Sequence, residues 1–398
     1  MSDQPPFRIV DLSTNATGGY ATRLLAAYGA EVIKIEPPRS GDPTRAVGPF
    51  PDDRPDPNCG ATSLFLDTNK KSVTLDVAKP VGRAILDRLL ERADVLMETF
   101  SPSMADHLGL NYSDLEERFP RLVVTSITPF GKDGLYRDLE ACELVLEAMS
   151  GWLFQSGEPN HPPTRTRGEL ATAMAPGLLA ASGTLAALAW RANSGEGQLV
   201  EVAAMEAMLA ASRYYETTYA YRDLLIARLG TTLSATYCYR PASDGWAALC
   251  ATTDQQREIC AHVMELSEHL DDPAFAPPTV GSSTEQSRAT DLIDRWVTQH
   301  SRAEIFHLLQ GMRVPSGFLT TADELLGLDQ LKERQAFVRI DHPAAGSLDY
   351  PAAPFKMGVT PFRTTRAPLL GEHNREIYLE QLGLSEDEFA ALTREGII

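Results

Sequence analysis

The chain has 398 residues, 43% of them hydrophobic and 23% charged, with a formal net charge of -18 and a sequence pI near 4.9. Its length exceeds the usual size of a single domain, and its composition is that of an ordinary globular protein. So acidic a chain excludes a nucleic-acid-binding role, because phosphate recognition requires clustered basic side chains.

In chain order, Phe7 to Leu12 reads as a strand, Tyr20 to Tyr28 as a helix, Val32 to Ile35 as a strand and Val81 to Arg92 as a helix. Val95 to Glu98 and Leu122 to Thr128 then read as further strands. Such alternation implies an α/β fold, Rossmann-like, with a parallel sheet between helices. No Gly-x-Gly-x-x-Gly follows the first strand, so nicotinamide binding has no support. Residues 176–193 read as a helix that is apolar nearly all round, rich in Ala and Gly, with Pro176 near its start. That pattern predicts full burial. Residues 203–228, with Met205, Met208, Leu209, Tyr214, Tyr215 and Tyr219, read as one more long helix. From about 230 to 345 the chain is richer in Pro, Ser, Thr and Asp, with loop signals at Pro273 to Pro278 and Gly281 to Glu285. Helices are expected there near 255–268, 287–300 and 302–311.

No apolar run of about twenty residues stands out, so no membrane span is expected. The first residues lack a basic stretch followed by an apolar core, so no secretory leader is expected. The cysteines Cys59, Cys142, Cys238, Cys250 and Cys260 are odd in number and form no Cys-x-x-Cys pair. They read as reduced thiols of a cytoplasmic protein. No His-Glu-x-x-His and no Cys/His cluster has ligand spacing, so no metal is expected.

Several segments, taken together, carry a resemblance. They are Arg8-Ile-Val-Asp-Leu-Ser, Gly18 to Glu36, Ser40-Gly-Asp-Pro-Thr-Arg45, Asp67 to Asp76, Ala93-Asp-Val-Leu-Met-Glu-Thr-Phe100, Ala148-Met-Ser-Gly151, Leu185 to Arg191, Gly195 to Val202 and Ala367-Pro-Leu-Leu-Gly-Glu-His373. Their order and spacing resemble the class III CoA-transferases, the CaiB/BaiF family of formyl-CoA transferase and the carnitine CoA-transferase. The resemblance implies a large Rossmann-like domain over 1–225, a smaller α+β domain over 226–345, a return to the large domain over 346–398, and an interlocked dimer. It also implies CoA or an acyl-CoA as substrate, with no cofactor held covalently.

In that family a catalytic aspartate attacks the thioester carbonyl to form a mixed anhydride. The aspartate stands four positions before a glycine that opens the following helix and corresponds to Gly177, which places Ala173 at its position. An alanine offers neither lone pair nor proton, so this position cannot act as nucleophile or acid. By family position, Asn15, Ala16, Arg39, Leu75, Thr99, Phe100 and His107 are the residues that would contact CoA. Where relatives carry cations for the CoA phosphates this chain has Pro37, His107 and Glu140, with Arg39 close to the first. A site so altered should hold phosphate weakly. One engineered replacement at Ala173 would not produce these further departures.

Glu143 could attack a thioester, or orient neighbours and cap a helix. Cys142 stands where the racemase relatives carry a general-acid histidine, against the reading of a small buried hydrophobe. Thr172 reads as an N-cap, Glu169 as a solvated loop residue and His161 as a surface loop histidine. The resemblance extends to members built from two homologous subunits, such as those moving CoA from succinyl-CoA to benzylsuccinate or malate. It implies a supporting role for this chain beside an aspartate-bearing partner. The alternative is a homodimeric transferase or lyase that uses Glu143.

Overall fold

The protein is described by a computed structural model that covers residues 5–165, 169–211, 215–226, 228, 230–271, 288–352 and 354–398. The loop signals at Pro273 to Pro278 and Gly281 to Glu285, and Tyr214, lie outside these residues. The chain forms two compact units: 1–150, 167–211 and 330–398 make the first, and 151–166 with 212–329 the second. It thus leaves the first unit twice, after 150 and after 211, and re-enters at 167 and at 330, where the resemblance implied one excursion over 226–345.

The first unit is built on a six-stranded parallel sheet. Its strands are β1 (Arg8–Asp11), β2 (Glu31–Glu36), β3 (Lys70–Thr74), β4 (Val95–Glu98), β5 (Val123–Thr128) and β6 (Leu199–Ala203). Their order is β3-β2-β1-β4-β5-β6, so the sheet grows outward in both directions from β1 and β4. The loops leaving those two strands part there, which is where α/β sheets of this order open a crevice. Alternation along each strand supplies two cores. Val10, Ile33, Leu96 and Val124 face one layer with Leu86, Leu89 and Tyr378. Ile9, Val32, Val95 and Val123 face the other, with Leu24, Ala180, Ala181 and Ala187.

The expected helix over 176–193 instead runs from Glu169 to Ser194, with Pro176 inside it. The run Glu-Leu-Ala-Thr-Ala-Met-Ala before the proline favours helix strongly enough to extend it past a residue that usually begins one. Thr172 therefore lies within the helix rather than capping it, and Glu169 is its first residue rather than a loop residue. Full burial is also corrected. Ala173, Ala180, Ala181 and Ala187 are buried, whereas Leu178, Leu179, Leu185 and Trp190 are 45–61% exposed. One sheet face can cover only one side of a helix. The stretch Thr172–Ser194 is, by length and composition, apolar enough to cross a membrane, contrary to the expectation from sequence. Its inner side is engaged with the sheet, with Thr184 bonded to Thr125 at 2.7 Å. The long helix expected over 203–228 resolves into Ala204–Ala210 and Tyr215–Arg222.

Beneath the sheet edge lies a wholly buried charged network. Asp11 accepts from the Ser13 and Thr22 hydroxyls at 2.5 and 2.7 Å and lies 3.3 Å from the Lys70 ammonium. Lys34 pairs with Asp42 at 2.7 Å, and Arg45 with Glu36 at 2.5 Å. Burial works against the Asp11 charge, yet Lys34 and Lys70 hold its carboxyl below the ordinary range, whereas burial pushes Asp67 up. The block Ala367 to His373 closes over this network, the Gly371 N–H donating to the Ser72 hydroxyl and that hydroxyl to Glu36. A hairpin of β11 (Phe337–His342) and β12 (Gly346–Pro351) adds Ile340 and Tyr350 against Leu64 and Ala367.

The second unit carries an antiparallel sheet, β10-β9-β8-β7, of β7 (Thr232–Ser234), β8 (Tyr237–Ala242), β9 (Gly245–Cys250) and β10 (Ser316–Phe318). Helices Asp254–Val263, Arg288–Thr298 and Arg302–Gly311 fall where the sequence predicts them. Capping boxes at Thr253/Gln256 and Ser301/Glu304 set two of their starts.

Candidate active site

At the carboxyl edge of the sheet a cavity of about 140 Å³ is lined by Asn15, Ala16, Thr17, Thr128, Cys142, Glu143, Thr172 and Ala173, among others. It thus gathers five of the positions singled out from sequence around Ala173: Asn15, Ala16, Cys142, Glu143 and Thr172. Their assembly follows from helix geometry. An added Cβ at Gly177 would stand 2.7 Å from the Thr17 carbonyl oxygen, so the Glu169–Ser194 helix crosses the Ala16–Ala27 helix there in near backbone contact. Ala173 lies one turn earlier on the same face, beside the start of the Ala16–Ala27 helix.

Ala173 is inside its own helix, so a helix terminus that favours an anion here belongs to one of the other helices whose starts line the cavity, Ala16–Ala27 among them. Asn15 caps the start of Ala16–Ala27, its side-chain oxygen accepting from the Thr17 and Gly18 N–H groups at 3.1 and 3.2 Å. Ala173 is 7% exposed and contributes a methyl group to the cavity wall. Among the described residues lining the cavity, Glu143 supplies a carboxylate and Cys142 a thiol. Glu143 is half-buried and is the first residue of the Glu143–Met149 helix. Cys142 is exposed and precedes that helix without a side-chain capping bond, which corrects its reading as a buried hydrophobe.

The other positions lie elsewhere. Arg39 and Leu75 line a second cavity, of about 650 Å³, with Pro37 and Lys79. His107 lines a third, of about 590 Å³, with Arg83, and both cavities include Val77 and Ala78. Sequence reading missed Lys79 and Arg83, which sit in the Lys79-Pro-Val-Gly-Arg83 helix entry and carried no family signal. Arg83 is already engaged with the Gly109 carbonyl at 2.8 Å and with Asp87 at 3.1 Å. Thr99 and Phe100 line none of these three cavities; Thr99 accepts the Thr14 N–H at 2.9 Å and so joins the loops leaving β1 and β4. Glu140 is exposed, and His161 is exposed in a loop of the second unit. No group of three or more His, Cys, Asp or Glu among the described residues could hold a metal ion.

Residues 6–374 match CoA-transferase family III. The chain is 31% identical to the succinyl-CoA–D-citramalate CoA-transferase of Chloroflexus aurantiacus, with 100% of each chain covered. It is 30% identical to the BbsE subunit of the succinyl-CoA:(R)-benzylsuccinate CoA-transferase of Thauera aromatica, covering 98% of this chain and 97% of that one. It is 31% identical to the formyl-CoA:oxalate CoA-transferase of Streptomyces avermitilis, covering 98% of each. Among solved structures, a CaiB/BaiF family protein from Brucella suis superposes with a TM-score of 0.81 at 25% identity, over 94% of this chain and 98% of that one.

Proposed function

The chain belongs to CoA-transferase family III, and from that premise we propose that it is the non-catalytic subunit of a heteromeric CoA-transferase working in the cytoplasm. The observation that carries this reading is Ala173, a methyl group on the wall of the cavity at the sheet's carboxyl edge. A homologous partner chain bearing aspartate supplies the nucleophile. Its carboxylate oxygen bonds to the thioester carbonyl carbon and the carbon–sulfur bond breaks, giving a mixed anhydride and CoA thiolate. The thiolate then attacks the aspartyl carbonyl and releases the donor acid, and the same two steps in reverse with a second carboxylate form the new thioester and restore the aspartate. Succinyl-CoA as donor and benzylsuccinate as acceptor follow by analogy with the relatives, of which one is named as a subunit of its enzyme.

The exposed apolar surface supports a partner. The helices Glu143–Met149, Glu169–Ser194 and Ala204–Ala210 pack on one another. Each leaves large apolar side chains in water: Leu144 and Met149, then Leu178, Leu179, Leu185 and Trp190, then Leu209. A patch of this kind on three helices that also line the cavity is the mark of an interaction surface. The test is co-expression with an aspartate-bearing homologue from the same organism, native mass spectrometry, and a succinyl-CoA exchange assay. A mixed assembly active only as the pair supports the reading; turnover by this chain alone overturns it.

One observation favours a second reading. Glu143 lines the same cavity as Ala173, so a self-associated transferase or lyase could use its carboxylate. Loss of turnover in Glu143→Gln, in a chain active by itself, is the result that selects it.

A further inference from the structure

The residues near the ends of β4, β5 and β6 stand in one line across the sheet. Glu98 is the register partner of Ser126, and Ser126 of Glu201. On adjacent parallel strands the three side chains share a face. Glu98 is 1% exposed, and Ser126 is fully buried with a hydroxyl that has no hydrogen-bond partner. Lys132, in the loop leaving β5, spans both carboxylates. Its backbone N–H donates to Glu201 Oε1 at 2.5 Å, and its ammonium lies 3.4 Å from Glu98 Oε1.

The same Glu98 carboxylate accepts the Phe100 N–H at 2.7 Å through its other oxygen. It therefore shapes the chain leaving β4 while holding the loop leaving β5. Thr99 extends the line to the loop leaving β1 by accepting the Thr14 N–H at 2.9 Å. At the other end Gly131, at φ +97°, presses against Glu201, an added Cβ standing 3.2 Å from its Oε1. The Gly131 N–H also donates to the Thr128 hydroxyl at 2.9 Å. The loops at the two ends of this line supply two walls of the cavity, Asn15 to Thr17 and Ile127 to Pro129.

We propose that Lys132 is a positioning residue: through Glu98 it fixes the separation of the loops leaving β1 and β5, and with it the fit of an acyl-thioester in the cavity between them. The claim about fit rests on the proposed function; the claim about the loops stands on the geometry alone.

The test compares Lys132→Met with Lys132→Arg in the full chain. Without ligand, Lys132→Met should raise amide hydrogen exchange at both Phe100 and Thr14 by about tenfold, the size expected for loss of one coupling contact. Strand amides such as Val10 should stay protected, and Lys132→Arg should restore protection. Unchanged exchange at Phe100 and Thr14 overturns the proposal, and so does a rise that includes the strands or that arginine fails to reverse. With succinyl-CoA as probe, Lys132→Met should bind about fivefold to tenfold more weakly than the parent chain; equal affinity overturns the claim about fit. Failure of the parent chain to bind succinyl-CoA, alone or with its partner, tells against the proposed function instead, and the exchange result then decides the role of Lys132.

Discussion

A Cβ added to Gly177 would stand 2.7 Å from the carbonyl oxygen of Thr17. This approach sets how the Glu169–Ser194 helix lies across the start of the Ala16–Ala27 helix, and therefore where Ala173 comes to rest. Gly177→Ala should destabilise the protein by about 1 to 3 kcal/mol, because the neighbour is backbone and overpacking outweighs the gain in helix propensity. Gly311→Ala has open space around it and serves as the control, expected to be neutral or slightly stabilising. Urea unfolding midpoints of the two variants check both.

Ala173→Asp places a carboxylate in a site that is 7% exposed. The start of the Ala16–Ala27 helix offsets part of the desolvation, leaving an expected loss of about 1 to 2 kcal/mol. The variant should fold, yet give no CoA exchange by itself, if Pro37 and Glu140 replace the phosphate-holding cations that the family resemblance implies. Assay of the isolated variant with succinyl-CoA and a second carboxylic acid checks this. Full turnover would mean that the rest of the site is intact.

His342 carries a pH dependence. Its Nδ1 accepts the Ala344 and Ala345 N–H groups at 3.3 and 3.2 Å, which requires that nitrogen to be unprotonated. Burial, and then the nearby Arg366, hold its pKa below the ordinary histidine value. The folded value lies below the unfolded one, so its stabilisation is complete above about pH 6.5 and is lost as pH falls through that value toward the folded one. His342→Asn should be less stable at pH 8 by about 1 kcal/mol and should lose the part of the acid sensitivity that this residue supplies. Urea midpoints of parent and variant between pH 8 and 5 measure the difference.

Glu372 behaves as the carboxylate counterpart. The Arg366 guanidinium and the Leu369 N–H hold its pKa at about 2 against the opposing effect of burial. Its contribution is present above the unfolded value near 4.5 and is lost as pH falls toward 2. Because the side chain is 27% exposed, solvent reduces the worth of the pair to about 1 kcal/mol. Glu372→Gln should lower stability at pH 7 by that amount and flatten the acid limb of the denaturation curve.

Leu185→Glu with Trp190→Glu should leave the first unit folded, since both side chains already face water. The pair should abolish association with a partner chain, because a charge on an apolar contact surface must be desolvated without compensation. Native mass spectrometry of the co-expressed chains is the check; an unchanged assembly removes this helix face from the interface.

Strands β1, β2, β4 and β5 of the large sheet, the helix that follows β1 and the three helices of the second unit were legible in the sequence because apolar periodicity and caps are local properties, whereas β3 and β6, each five residues long, were not read as strands. Val95–Glu98 coincides with its expected bounds, and Ser301/Glu304 marks a helix start that the chain adopts. That Ala173 stands where the family resemblance implies an aspartate is a reading of the sequence alone, because the position is defined by its distance along the chain from Gly177. What the sequence could not reveal is whatever depends on which surfaces meet. The Glu169–Ser194 helix reads as wholly buried by composition, yet half its apolar side chains face water, since one sheet covers one face. One helix start that lines the cavity with Ala173, that of Ala16–Ala27, belongs to a segment more than a hundred residues earlier in the chain. Glu98, Ser126 and Glu201 are likewise far apart in sequence and become neighbours only through parallel pairing of β4, β5 and β6. Sequence fixes the chemistry available at each position; the register of strands and the crossing of helices decide which of those groups act together.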